Sequence, residues 1–154
     1  MRTARLAAIG CLVGVCLVPL VFGQTVARPN FSGTWNIDVA RSDFATLPLP
    51  KVYTLTIEHK EPHVNVGRDL GEQQDSSAFR TDGVETKVDS DCCGVMRTTG
   101  RWDGATMIRR LVSEAFTQVD HWTLSADGKT LTIARDVRQD GGDFKIRMVF
   151  AKKN

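Results

Sequence analysis

Beyond its first 23 residues the chain has little cysteine, a single tyrosine, no long apolar run and no excess charge of either sign. Each shortage removes a class of protein. Two of the four cysteines lie in that first segment, so only Cys92 and Cys93 remain, too few for a disulfide-stapled scaffold. No later apolar stretch approaches the ~20 residues that a membrane-spanning helix needs. The first 23 residues hold two of the 20 Lys and Arg and none of the 18 acids, leaving 18 bases against 18 acids. That sum leaves no basic case for nucleic acid or anionic lipid as partner. There is no nucleophile elbow, no phosphate-binding glycine loop and no paired zinc-ligand motif. The expectation is a protein that is not an enzyme and carries no cofactor and no metal.

What is present begins with an address. Arg2 and Arg5 precede an apolar run from Leu6 to Phe22, and Gly23 stands before Gln24. This is the pattern of a cleavable secretory signal, and Gly10, Gly14 and Pro19 interrupt it too often for a retained span. The expected boundaries are residues 1–23 for the signal and 24–154 for the mature protein, which is then periplasmic or secreted. The mature 131 residues suffice for one domain with a core and are too few for two.

Past Arg41 one grammar repeats: seven to ten residues rich in β-branched and aromatic types, then a turn built on aspartate and glycine. Asp82-Gly83, Asp103-Gly104, Asp127-Gly128 and Asp140-Gly141-Gly142 supply residues that tolerate the positive φ of tight hairpins, and Lys60-Glu61-Pro62 marks another turn. Between turns the apolar residues alternate, as in Tyr53, Leu55 and Ile57, or Phe144, Ile146, Met148 and Phe150. The pattern predicts about ten strands, at 33–39, 51–59, 63–69, 75–81, 84–89, 95–102, 105–112, 117–125, 129–138 and 143–151, with one helical turn between Asp38 and Phe44. Short hairpins in series leave two sheet edges exposed unless the sheet closes. The predicted fold is all-β, a single antiparallel up-and-down β-barrel of about 8–10 strands. Charge on both faces of the 105–112 strand, where Arg109 and Arg110 are adjacent, excludes insertion of that barrel into a membrane.

Gly33-Thr34-Trp35 at the start of the first strand resembles the G-x-W signature of the lipocalins, within the calycin group. The longer strings from Phe31 to Asp38, Arg41 to Phe44 and Trp122 to Ile133 look like those of small exported bacterial lipocalin-like proteins. The resemblance implies that Gly33 allows close backbone approach and that Trp35 closes the barrel bottom. It also implies an arginine stacked on the indole, for which Arg147 is the nearest candidate. The Thr-Asp-Tyr turn and long-range disulfide of eukaryotic lipocalins are missing.

About ten strands enclose enough space for a small ligand, which makes binding of a small apolar or amphipathic molecule the leading functional expectation. The alternative is a solid-core barrel acting through its surface as an envelope interaction module or inhibitor. The expected pocket lining is Leu55, Ile57, Ile133, Arg135, Phe144, Met148 and Phe150. Arg135 shares a face with Leu131, Ile133 and Val137, and a buried arginine needs a partner, either an internal carboxylate or that of a ligand. His59, Glu61 and His63 surround Pro62, where a solvated turn is the plainer reading than a metal site. Cys92 and Cys93 have two readings: a strained vicinal disulfide with redox character, or two free or separately paired thiols.

Overall fold

The structure is a computed structural model that describes residues 27–90 and 94–153. Residues 1–23, expected from the sequence to be a secretory signal, and the Cys92-Cys93 pair lie outside the described residues. Ten strands follow one another: β1 (Gly33–Ile37), β2 (Thr54–Lys60), β3 (His63–Asp69), β4 (Gln74–Arg80), β5 (Thr86–Ser90), β6 (Gly94–Asp103), β7 (Thr106–Val112), β8 (Phe116–Leu124), β9 (Thr130–Gln139) and β10 (Phe144–Lys152). The Asp-Gly turns work as expected, with Gly104 at φ 57° and Gly128 at φ 69° between tightly paired strands. The helical piece among the described residues is one 3-10 turn, Val39–Arg41, capped by the Asp38 carboxylate, which accepts from the Arg41 backbone N–H.

All neighbouring pairs are antiparallel, and β1 pairs with β10, setting Trp35 opposite Lys152 and Ile37 opposite Phe150. The first and last strands therefore meet and the sheet curls round on itself. This is the expected single antiparallel barrel, and its closure is nearly complete: β4 and β5, consecutive in the chain, are the two ends of the sheet. The cause lies in the residues that join them. The Thr81 N–H donates to the Pro62 carbonyl at 2.8 Å and the Gly83 N–H to the Gly100 carbonyl at 2.9 Å. Those bonds draw the connection across to the β2–β3 turn and to β6, so it cannot fold β5 back along β4. At this end β4 packs directly on β6, where a Cβ on Gly100 would stand 2.5 Å from the Arg80 carbonyl oxygen and 2.9 Å from the Phe79 ring. Towards the other end the two strands separate.

Inward residues stack in layers set by register. Met107, Trp122, Ile133 and Met148 face one another across β7 to β10. The next layer up is Arg109, Asp120, Arg135 and Ile146, and the one above it Leu111, Gln118, Val137 and Phe144. The lower end is a filled aromatic core. Phe31 stacks on Trp102 and His59 with centroids 5.8 Å away in each case, and meets Trp122 edge-on at 5.7 Å. Trp35 is fully buried, and its indole N–H donates to the Phe31 carbonyl at 2.9 Å. Trp35 is thus packed into this lower core, and the expected arginine is not the residue above its ring. The cation over its ring is Lys152, 5.1 Å from the centroid, whereas Arg147 points outward and its backbone bridges to Asp43. Gly33, at φ 138°, makes room for the Lys152 stem rather than for backbone, since a Cβ there would lie 2.8 Å from Lys152 Cε.

Candidate functional site

The upper half of the barrel is not filled. A cavity of about 360 Å³ opens beside the seam, bounded by Arg68 on β3, Asp75 and Ser77 on β4, Val88 and Asp89 on β5, Met96 and Thr98 on β6, Arg109 and Leu111 on β7, and Phe116 and Gln118 on β8. The alternation of each strand explains its polarity. Reading upward, the inward residues run Val64, Val66, Arg68 on β3, Phe79, Ser77, Asp75 on β4, and Met107, Arg109, Leu111 on β7. Polar side chains enter the inner face at Ser77, Arg68 and Arg109, and the cavity lies beside them.

The charged layer is asymmetric. Asp120, fully buried, accepts from Arg135 Nε at 2.7 Å and Nη2 at 3.1 Å, and from the Gln118 amide at 2.9 Å. Burial works against the Arg135 charge, but the Asp120 carboxylate more than offsets it and holds the guanidinium above its ordinary value. Arg109 stands directly across from Asp120 in the register and receives no such partner. Among the described residues no carboxylate oxygen comes within 4.0 Å of it. Its guanidinium donates to the Thr98 hydroxyl at 3.3 Å and the Ser77 hydroxyl at 3.4 Å, both long, and lies 5.0 Å over the Phe79 ring. Burial pulls its pKa down to about 10, with Asp120 opposing and the Arg135 and Arg68 charges adding to the depression. Arg68 is satisfied at the rim, donating to both Asp75 oxygens at 2.5 and 2.6 Å. The result is a buried cation with most of its five donors free, aimed into a cavity.

The residues expected to line a pocket lie apart from this cavity. Leu55, Ile57, Ile133, Met148 and Phe150 belong to the packed cluster, and Phe144 leans on it partly buried. None of them lines the cavity. They occupy β2, β9 and β10, where the ladders are unbroken and opposing side chains meet; the space lies on the β3 to β8 side, where the seam holds the walls apart. Arg135 is on the inner face as expected, and its partner is the internal carboxylate Asp120. Arg109, Thr98, Ser77 and Gln118 were not anticipated. The adjacent pair Arg109 and Arg110 was the available signal, because neighbours on a strand face opposite ways and one arginine had to point inside.

The Pro62 turn is likewise revised. His59 is buried in the lower core, not solvated: its Nδ1 accepts the Phe31 backbone N–H at 3.3 Å, so Nε2 carries the proton that meets Glu61 Oε1 at 3.2 Å. Glu61 also accepts from Trp102 Nε1 at 2.8 Å and from the Thr81 hydroxyl. Burial raises the Glu61 carboxyl, and the Thr81, Trp102 and His59 hydrogen bonds outweigh it, leaving the group below its ordinary value. His63 lies on the outer face beside Arg80, so the two imidazoles do not converge.

No protein-family model matches the chain, and no curated protein matches it in sequence. Solved structures do match in fold. An abundant heat soluble protein from Ramazzottius varieornatus superposes with a TM-score of 0.62 at 14% identity, over 79% of this chain and 94% of that one. A fatty acid transporter designated REP1-NXSQ gives 0.61 at 12%, over 80% and 96%. A zebrafish ileal bile acid-binding protein in complex with cholic acid gives 0.58 at 11%, over 80% and 98%. Identities this low carry the fold and nothing finer. The chain is an all-β, ten-stranded antiparallel barrel with the fold of these structures, nearly closed, with a solid lower end and a cavity above it.

Proposed function

We propose that this protein is an exported carrier that holds one small amphipathic molecule in the upper half of its barrel, with the anionic end of that molecule on Arg109. The observation that carries the reading is the unpaired guanidinium facing a cavity. A buried charge without a partner costs several kcal/mol in the empty protein, and a ligand carboxylate, sulfonate or phosphate would supply the partner. Thr98, Ser77 and Gln118 offer further hydrogen-bonding groups around it, while Leu111, Met96 and Phe116 make an apolar wall for the rest of the molecule. The volume is near the lower end of the ~300–1,000 Å³ typical of small-molecule sites, which favours a short or compact ligand. That solved barrels of the same fold include a fatty acid transporter and a bile acid-binding protein supports the same class. Export rests on the sequence pattern of residues 1–23.

Native mass spectrometry of the protein purified from the organism that makes it tests this reading. The expected spectrum contains an added mass that leaves on activation as a singly charged small anion. Repeated recovery of the bare chain from its natural compartment would count against a carrier.

A further inference from the structure

The register also orders the outer face. Arg101, Ile108, His121, Ala134 and Arg147 form one row across β6 to β10, and Thr99, Arg110, Val119, Asp136 and Lys145 the next. A third row is Arg97, Val112, Thr117 and Arg138. Six of these 14 positions are Lys or Arg and one is an acid. Arg97 reaches Glu85 only at 3.9 Å and Lys145 holds Asp136 at 3.1 Å. Among the described residues Arg101, Arg110, Arg138 and Arg147 have no carboxylate within 4.0 Å, and all four are exposed. The outer face of β2 and β3 differs, its four register pairs carrying two acids, Glu58 and Asp69, and one lysine, Lys60. A balanced total therefore conceals a separation: the count of bases and acids is blind to their placement.

We infer that the outer face of β6 to β10 docks on the anionic headgroups of a lipid bilayer. The guanidinium's planar fork matches phosphate oxygens in pairs, and arginines outnumber lysines on this face. At about 4.8 Å between strands the five span about 19 Å, a patch of several headgroups rather than a groove for one ion. Nucleic acid fits less well. Between the arginines stand Ile108, Val112, Val119 and Thr117, with no aromatic platform for bases, and a convex sheet projects no helix or ribbon into a duplex groove. The inference does not depend on what occupies the cavity, although an amphipathic cargo would be collected from such a surface.

Co-sedimentation of the mature protein with vesicles tests it. The protein is expected to pellet with equal parts phosphatidylglycerol and phosphatidylcholine at low salt, to stay in solution with pure phosphatidylcholine, and to be released by added salt. The double variant Arg110→Glu, Arg138→Glu should weaken partitioning at least about tenfold, given the roughly 1 kcal/mol that each basic residue contributes near an anionic surface. If that pair fails to fold by circular dichroism, Arg101→Glu with Arg147→Glu serves the same purpose. Thr56→Glu with Asn65→Glu, on the opposite face, should leave partitioning unchanged, and decanoate binding in the cavity should be unaffected by the basic-face variants. Absence of pelleting at low salt, equal pelleting with neutral vesicles, equal loss from the opposite-face variants, or tighter binding to a single-stranded oligonucleotide than to vesicles would each overturn the inference.

Discussion

Three residues in the interior divide the work of stability and binding. Arg109 is expected to oppose stability in the empty protein, because a base held down at about pKa 10 in the fold, below its ordinary value in the unfolded chain, binds its proton less well when folded. That cost is present in full below pH 10 and fades only as pH rises through 10 towards the unfolded value. Arg109→Met should therefore raise the stability of the empty barrel by about 1–4 kcal/mol at pH 7, with the gain shrinking above pH 10 in urea titrations. Asp120 is the counterpart. Asp120→Asn removes the charge that holds Arg135 and should cost about 3–5 kcal/mol by the same titration. Trp35 lies on the structural side, and Trp35→Ala should cost about 3–5 kcal/mol, while Lys152→Ala, which removes only the cation above the ring, should cost about 1 kcal/mol or less. An unchanged melting temperature for Trp35→Ala would contradict that structural role. Trp35 could be read from its place in the sequence, because a large aromatic after a glycine at a first strand has few other uses. Lys152 could not, since its approach depends on the β1–β10 pairing.

At the scale of the strand, alternation and Asp-Gly turns were enough to find all ten elements, because each hairpin is a local decision between residues close in sequence. The seam is not local. Residues 81–85 resemble other hairpin connections, and what prevents a ladder there is the capture of Thr81 and Gly83 by Pro62 and Gly100. Gly100 is the strand residue on which that arrangement turns. Gly100→Val would press a side chain into the Arg80 carbonyl and the Phe79 ring, parting β4 from β6 where they seal the lower end. The expected cost is about 1–3 kcal/mol, with faster amide exchange in β4 and β6 than in β8 and β9. Uniform exchange across the four strands would mean that the contact is not what closes the seam. The same non-locality hid the cavity wall. Periodicity identifies which face of a strand looks inward, but the missing ladder decides which inward residues touch one another and which are left facing space.

As a whole the molecule has two poles along the barrel axis and two unlike sides. The lower pole is dry and aromatic; the upper one is hollow, and among the described residues its Arg109 guanidinium has no carboxylate within 4.0 Å. Its outer surface is basic over β6 to β10 and close to neutral over β2 and β3. A stable barrel needs the first pole and gains nothing from the second, so the unpaired Arg109 stands as a feature retained at a cost in stability. The most direct test is a calorimetric titration of decanoate and of decanol into the wild-type protein and into Arg109→Met. A charge-assisted hydrogen bond contributes about 1.5–3 kcal/mol, so the carboxylate should bind the wild type at least about tenfold more tightly than the alcohol, and Arg109→Met should abolish that difference while keeping its fold. Equal affinity of the two ligands for the wild type, or an unchanged preference for the carboxylate in Arg109→Met, would contradict the assignment of Arg109 as the anion site.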